Sequence, residues 1–136
     1  MSSFVYADTS ALFKLVVPEA ETAILEDWLA KNLANVVTSD LSTTELIRAA
    51  ARSNDDQILA ATAVLQRTTR VAVTRAITRR AALIQPRRLR SLDAIHVATA
   101  IELAPQVTTI LTYDSRMVEA AHLNGFSTAS PGAEDA

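Results

Sequence analysis

Five short runs of apolar and β-branched residues, each set apart from the next by stretches spaced for helices, constrain this chain more than any other feature. The runs are Phe4–Ala7, Val36–Thr38, Val71–Val73, Thr108–Thr112 and Phe126–Ala129. Antiparallel neighbours need only a tight turn between them. Connections long enough to hold a helix instead carry the chain back to the starting end and leave neighbouring strands parallel. A parallel sheet buries both faces under those helices. The expected fold is therefore α/β, with three layers (α/β/α) around a short, mainly parallel sheet.

Helix signals fill the intervals. Asp8-Thr9-Ser10 offers cap residues before Ala11–Val16. After Pro18, Glu19 and Glu21 enrich the first turn of a second helix running to about Leu33, with Ile24, Leu25, Trp28 and Leu29 as its apolar stripe. Further helices are expected over Leu41–Arg52, Asp55–Arg67, Thr74–Ile84, Ser91–Leu103 and Ser115–Leu123. Pro86 ends one, and Ser91 caps the next, which stops before Pro105. Residues 1–130 read as one domain and 131–136 as a short polar tail.

Composition removes several kinds of chemistry. With no cysteine there is no disulfide framework, thiolate zinc site or cysteine nucleophile, which suits a reducing cytoplasm. Two histidines, His96 and His122, are too few for a His-rich metal site, and two glycines cannot build a phosphate-cradling loop. No basic start followed by a long apolar run suggests a signal peptide, and no apolar stretch approaches the ~20 residues needed to span a bilayer. The formal net charge is −2, but unevenly spread: Gln57 to Leu92 holds no acid, and eight arginines stand between Arg67 and Arg90. Arg79, Arg80, Arg87, Arg88 and Arg90 are candidates for holding a polyanion such as RNA, and equally for a solvated helix face.

Two of four candidate acids stand where a parallel sheet gathers ligands. Asp8 follows the first strand directly, and Asp114 follows the fourth by one residue. Strand carboxyl ends share one edge, so acids distant in sequence meet there. Asp93 lies in the first turn of its helix; Glu45 lies in the third helix, on the face shared with Arg48, Ala49 and Arg52. Each also has an ordinary structural reading. Asp8 and Asp114 fit N-caps, and Asp93 complements a helix dipole. Ser42-Thr43-Thr44-Glu45 matches a capping box, with Glu45 able to pair with Arg48.

Val5-Tyr6-Ala7-Asp8-Thr9-Ser10-Ala11, Glu45, Leu92-Asp93-Ala94-Ile95-His96-Val97-Ala98-Thr99-Ala100 and Leu111-Thr112-Tyr113-Asp114, in that order, resemble the PIN-domain family. Within it the chain looks like the VapC toxins of toxin–antitoxin pairs. The resemblance runs over nearly the whole chain and implies a PIN-like nuclease domain. It puts the catalytic quartet on Asp8, Glu45, Asp93 and Asp114, with Asp8, Asp93 and Asp114 as metal ligands and Glu45 as a further ligand or water-orienting base. Ser10 and Thr112 match small hydroxyl residues beside that quartet. His96 takes a packing or hydrogen-bonding part. The same resemblance implies metal-dependent hydrolysis of RNA, commonly a tRNA or ribosomal RNA loop, a VapB-type antitoxin that blocks the site, and a homodimer.

Electrostatics explains why such a quartet needs a cation. Two carboxylates about 4 Å apart repel by about 4 kcal/mol at an effective dielectric of about 20. Several together raise one another's pKa. All-oxygen ligands favour Mg²⁺ or Mn²⁺. Two rival readings stay open. An Asp after strand one also serves aspartyl-phosphate phosphatases, but these need a second Asp where Ser10 stands. A catalytically inactive PIN-like module binding RNA or protein would keep the fold without the chemistry.

Overall fold

A computed structural model describes residues 3–32 and 34–133. Along the chain run β1 (Ser3–Ala7), α1 (Thr9–Val16), α2 (Thr22–Lys31), β2 (Ala34–Ser39), α3 (Leu41–Ala51) and α4 (Asp55–Gln66). Then come β3 (Thr69–Val71), α5 (Arg75–Ala81), α6 (Ser91–Glu102), β4 (Val107–Leu111), α7 (Ser115–Leu123) and β5 (Ser127–Ala129). The five strands form one sheet in the order β3-β2-β1-β4-β5, every pairing parallel. The chain winds from β1 outward through β2 to β3, then crosses β1 to build β4 and β5 on its other side. The order therefore reverses between β1 and β4, where Ala7 pairs with Leu111 and the Asp8 N–H donates to Leu111 O at 3.2 Å. In open α/β sheets that reversal opens a crevice at the strands' carboxyl ends.

The period-two alternation of a strand sorts the core onto two faces. Tyr6 and Ile110 join Ile77 of α5, Val97 of α6 and Met117 of α7 on one side. Ala7 and Leu111 join Leu12, Leu25, Leu46 and Leu65, from α1 to α4, on the other. With helices on both faces, the expected three layers and parallel sheet are present. Burial of such side chains, at roughly 1.5–3 kcal/mol each, pins the strands that carry the acids. Among the described residues no helix is long and apolar enough to cross a membrane.

Several boundaries differ from the sequence expectation. The third strand is Thr69–Val71 rather than Val71–Val73, because Val37 pairs with Thr69 and Ser39 with Val71. Residues 72 and 73 then connect to Thr74, whose side chain caps α5 by accepting from the Ile77 N–H. The second helix starts at Thr22, since the Thr22 hydroxyl accepts from the Glu19 N–H and donates to Lys14 O, fixing a turn before it. Its expected last residue, Leu33, lies outside the described residues. Helix α5 ends at Ala81, short of Ile84, and the cap position of α6 is Arg90 rather than Ser91, without a side-chain bond. Ser42 heads no capping box; it is buried against the Thr38 hydroxyl at 2.7 Å.

Of the residues read as a tail, 131–133 form a turn, and the Pro131 carbonyl accepts the Tyr113 hydroxyl at 2.7 Å. Gly132 suits that turn, with φ +89° and a would-be Cβ only 3.2 Å from Glu21 Cβ. Residues 134–136 lie outside the described residues.

Candidate active site

The Asp8 carboxylate sits at the sheet's reversal point, 4% exposed. Its Oδ1 accepts from the Ser10 hydroxyl at 2.6 Å and the Ala11 N–H at 3.1 Å. Its Oδ2 accepts from the Thr112 hydroxyl at 2.5 Å. Asp8 is thus the N-cap of α1, as its structural reading held, and also the group around which β1 and β4 are tied together. Burial pushes its carboxyl above the usual range, against the lowering effect of the Ser10 and Thr112 hydroxyls. Those hydroxyls also serve the opposite strand end: Ser10 Oγ accepts from the Tyr113 N–H, and Thr112 Oγ1 from the Asp114 N–H.

Glu45 approaches from α3. Its partner is not Arg48: Oε1 accepts from the Thr9 hydroxyl at 2.6 Å and lies 2.8 Å from His96 Nε2. Burial raises the Glu45 carboxyl, but hydrogen bonds from His96 and Thr9 outweigh that, and the net direction is down. An ionised Glu45 can only accept, so Nε2 carries a proton. In the neutral ring Nδ1 is then an acceptor. The Tyr6 hydroxyl, 2.6 Å from Nδ1, donates to it, and burial keeps the phenol protonated by pushing its pKa up. A chain Tyr6–His96–Glu45 thus runs from the core to the crevice. Glu45 Oε2 is left without a partner among the described residues.

Asp93, in the first turn of α6, accepts no hydrogen bond from the described residues. Burial raises its carboxyl first; Asp114 raises it next, and Asp8 and Glu45 add to this, against a lowering effect from His96. All four predicted acids therefore share one electrostatic neighbourhood. Asp114 is the N-cap of α7, its Oδ1 accepting from the Arg116 N–H at 2.9 Å. As the side chains stand, no group of three His, Cys, Asp or Glu among the described residues is gathered tightly enough to grip an ion. The donor set is nonetheless all carboxylate, and its mutual repulsion is of the kind that a hard dication relieves.

The arginine block is divided by the fold. Arg80 pairs with Glu102 at 3.2 Å, and Arg88 pairs with Glu119. Arg79 and Arg87 line separate cavities, of ≈630 and ≈420 Å³. Sequence reasoning missed the parts played by Thr9 and Tyr6. A tyrosine within a buried strand was the available signal, because a buried phenol needs a partner. Thr9, beside Asp8, has the ordinary sequence reading of a cap residue.

Comparison with known proteins agrees with this geometry. The PIN domain matches residues 5–123. Ribonuclease VapC47 of Mycobacterium tuberculosis (strain CDC 1551 / Oshkosh) is 39% identical over 133 residues, covering 95% of this chain and 98% of the relative. Among solved structures, a toxin–antitoxin complex from Klebsiella pneumoniae superposes with TM-score 0.71 at 21% identity, over 93% of this chain and 97% of the other. Mycobacterium tuberculosis VapC20, described as a sarcin–ricin loop cleaving toxin, gives 0.73 at 18% identity, over 93% and 99%. At those identities the structures speak for the fold, while the family match and the close relative carry the assignment. The chain belongs to the PIN-domain family and, within it, to the VapC ribonucleases.

Proposed function

We propose that this chain is a divalent-metal-dependent endoribonuclease, the toxin of a type II toxin–antitoxin pair, hydrolysing phosphodiester bonds in a tRNA or ribosomal RNA. The observation that carries this reading is the elevated Asp93 carboxyl, raised by burial and then by Asp114, Asp8 and Glu45 together. Acids from four separate elements thus come near enough for Asp114, Asp8 and Glu45 to raise Asp93, a cost that a bound cation would remove.

Asp8, Asp93 and Asp114 would hold Mg²⁺ or Mn²⁺, which when bound supplies positive charge at the scissile phosphate and acidity to water. The chain's own residues do the rest. Ser10 and Thr112 orient both oxygens of Asp8. Thr9 and His96 hold Glu45 by Oε1, so that Oε2 is free to orient an attacking water and take its proton. The toxin–antitoxin complex among the structural neighbours supports an antitoxin partner, and the resemblance makes that partner VapB-type. The resemblance adds a homodimer, and the absence of cysteine suits a reducing cytoplasm.

Purified protein incubated with total cellular RNA tests this directly. We expect discrete cuts with Mg²⁺ or Mn²⁺, none with chelator, and loss of cutting in Asp8→Asn and Asp93→Asn. Growth arrest on induced expression without any cleaved RNA would overturn it. A second reading, a catalytically inactive RNA- or protein-binding module, draws on the loose spacing of the acids. Calorimetric titration with Mn²⁺ separates the two, since an inactive module binds none tightly.

A further inference from the structure

We infer that a cavity at the starts of α6 and α7 is a subsite for an RNA backbone phosphate next to the scissile one, held by Arg90 and Arg116; the inference rests on the ribonuclease reading above. The cavity, of ≈360 Å³, is lined by Pro86, Arg88, Leu89, Arg90, Arg116 and Glu119. Arg90 is the cap residue of α6, three positions before Asp93, and Arg116 is the second residue of α7, two positions after Asp114. Helices α6 and α7 pack against each other. The helix starts that carry these two carboxylates therefore also bring two guanidinium groups to one cavity, each within a turn of its acid.

Charge pairing singles these two out. Arg88 on the same wall is bound to Glu119, while neither Arg90 nor Arg116 has an ion-pair partner among the described residues. Their acidic neighbours have not captured them: the bond between Arg116 and Asp114 runs through the Arg116 backbone N–H. Both side chains are exposed. Two like charges lining one cavity repel, and a ligand that removes the conflict must be anionic. A guanidinium fork matches the paired oxygens of a phosphodiester. A strand with one phosphate at the acids meets cations with the next. The other arginines of the block do not share this arrangement: Arg79 and Arg80 line a different cavity, where Arg80 is bound to Glu102.

The test compares wild type, an Arg90→Gln/Arg116→Gln double variant, and Arg67→Gln as a distant basic control. Fluorescence anisotropy with a short labelled single-stranded RNA, in chelator and across a KCl series, measures binding without cutting. Each phosphate contact contributes about 0.7 to the slope of log affinity against log salt. We expect the double variant's slope to be shallower by about 0.7, the one phosphate lost, and its affinity to fall about tenfold, with Arg67→Gln like wild type. Arg90→Lys/Arg116→Lys recovers the slope but not the full affinity, because the charge returns without the fork. An unchanged slope in the glutamine variant overturns the subsite. So does a gain in Mn²⁺ affinity with RNA binding intact, which would make the arginines charge-balancers for the acids. Wild-type cleavage is assayed in parallel with metal, so a chain that cuts no RNA fails the earlier reading, whereas an unchanged slope fails only this one.

Discussion

His96 Nε2 stands 2.8 Å from Glu45 Oε1, joining a 2%-exposed imidazole on α6 to an acid on α3. Tyr6 fixes that imidazole from behind. Replacing Tyr6 by Phe keeps the ring and removes the hydroxyl, leaving Nδ1 buried without a donor. We expect a loss of about 1–3 kcal/mol in urea unfolding at unchanged m, with RNA cleavage reduced severalfold through kcat. His96→Ala adds a cavity and lowers stability by about 2–4 kcal/mol. A Tyr6→Phe protein with wild-type stability and kcat would show that the chain of bonds positions nothing.

Thr112 serves both Asp8 and the Asp114 backbone, so Thr112→Val tests the tie between the strand ends. The substitution preserves shape and strips a donor from a buried carboxylate. The expected cost is about 1–3 kcal/mol, read as a lower denaturation midpoint. Ser10→Ala removes the donor to Oδ1, but the Ala11 N–H remains there, so its loss is smaller.

Asp93→Asn separates stability from activity. Because the folded carboxyl titrates above its ordinary value, its contribution to stability is fully present below the usual aspartate range. It is lost as pH rises through the elevated folded value. At neutral pH without metal, the Asn variant should therefore be more stable than wild type. Solvent screening at this half-exposed group limits the gain to about 0.5 kcal/mol, on the order of 2 °C in Tm. Thermal melts in chelator should show the gap near pH 7.5 and its disappearance near pH 3.5. Cleavage should fall at least about a hundredfold in the same variant, a loss of about 2.7 kcal/mol of barrier lowering. A variant less stable than wild type at both pH values would contradict the repulsion.

Metal should reverse that ranking. An ion at about one hundred times its dissociation constant stabilises the folded state by about 2.7 kcal/mol. Mn²⁺ should accordingly raise the wild-type Tm by several degrees and raise that of Asp8→Asn and Asp93→Asn much less. Equal shifts in all three proteins would place the ion elsewhere.

What the sequence determined alone is whatever rests on a few neighbouring residues. Strand–helix alternation set the parallel, three-layer architecture, and Asp8 and Asp114 at strand ends followed from it. The family resemblance supplied the quartet and its order. Tertiary structure decided which partner each polar group takes. Glu45 had a local cation in Arg48 and a local capping box, yet bonds Thr9 and His96, the latter 51 residues away. Ser42 gave up a cap for Thr38, and Thr112 reaches Asp8 across 104 residues. The arginine block, continuous in sequence, is split between ion pairs and separate cavities. The physical reason is burial. Local periodicity acts over one or two turns, but a polar group that loses water must bond whatever the packed core brings within 3 Å or so, and only the folded chain decides what that is.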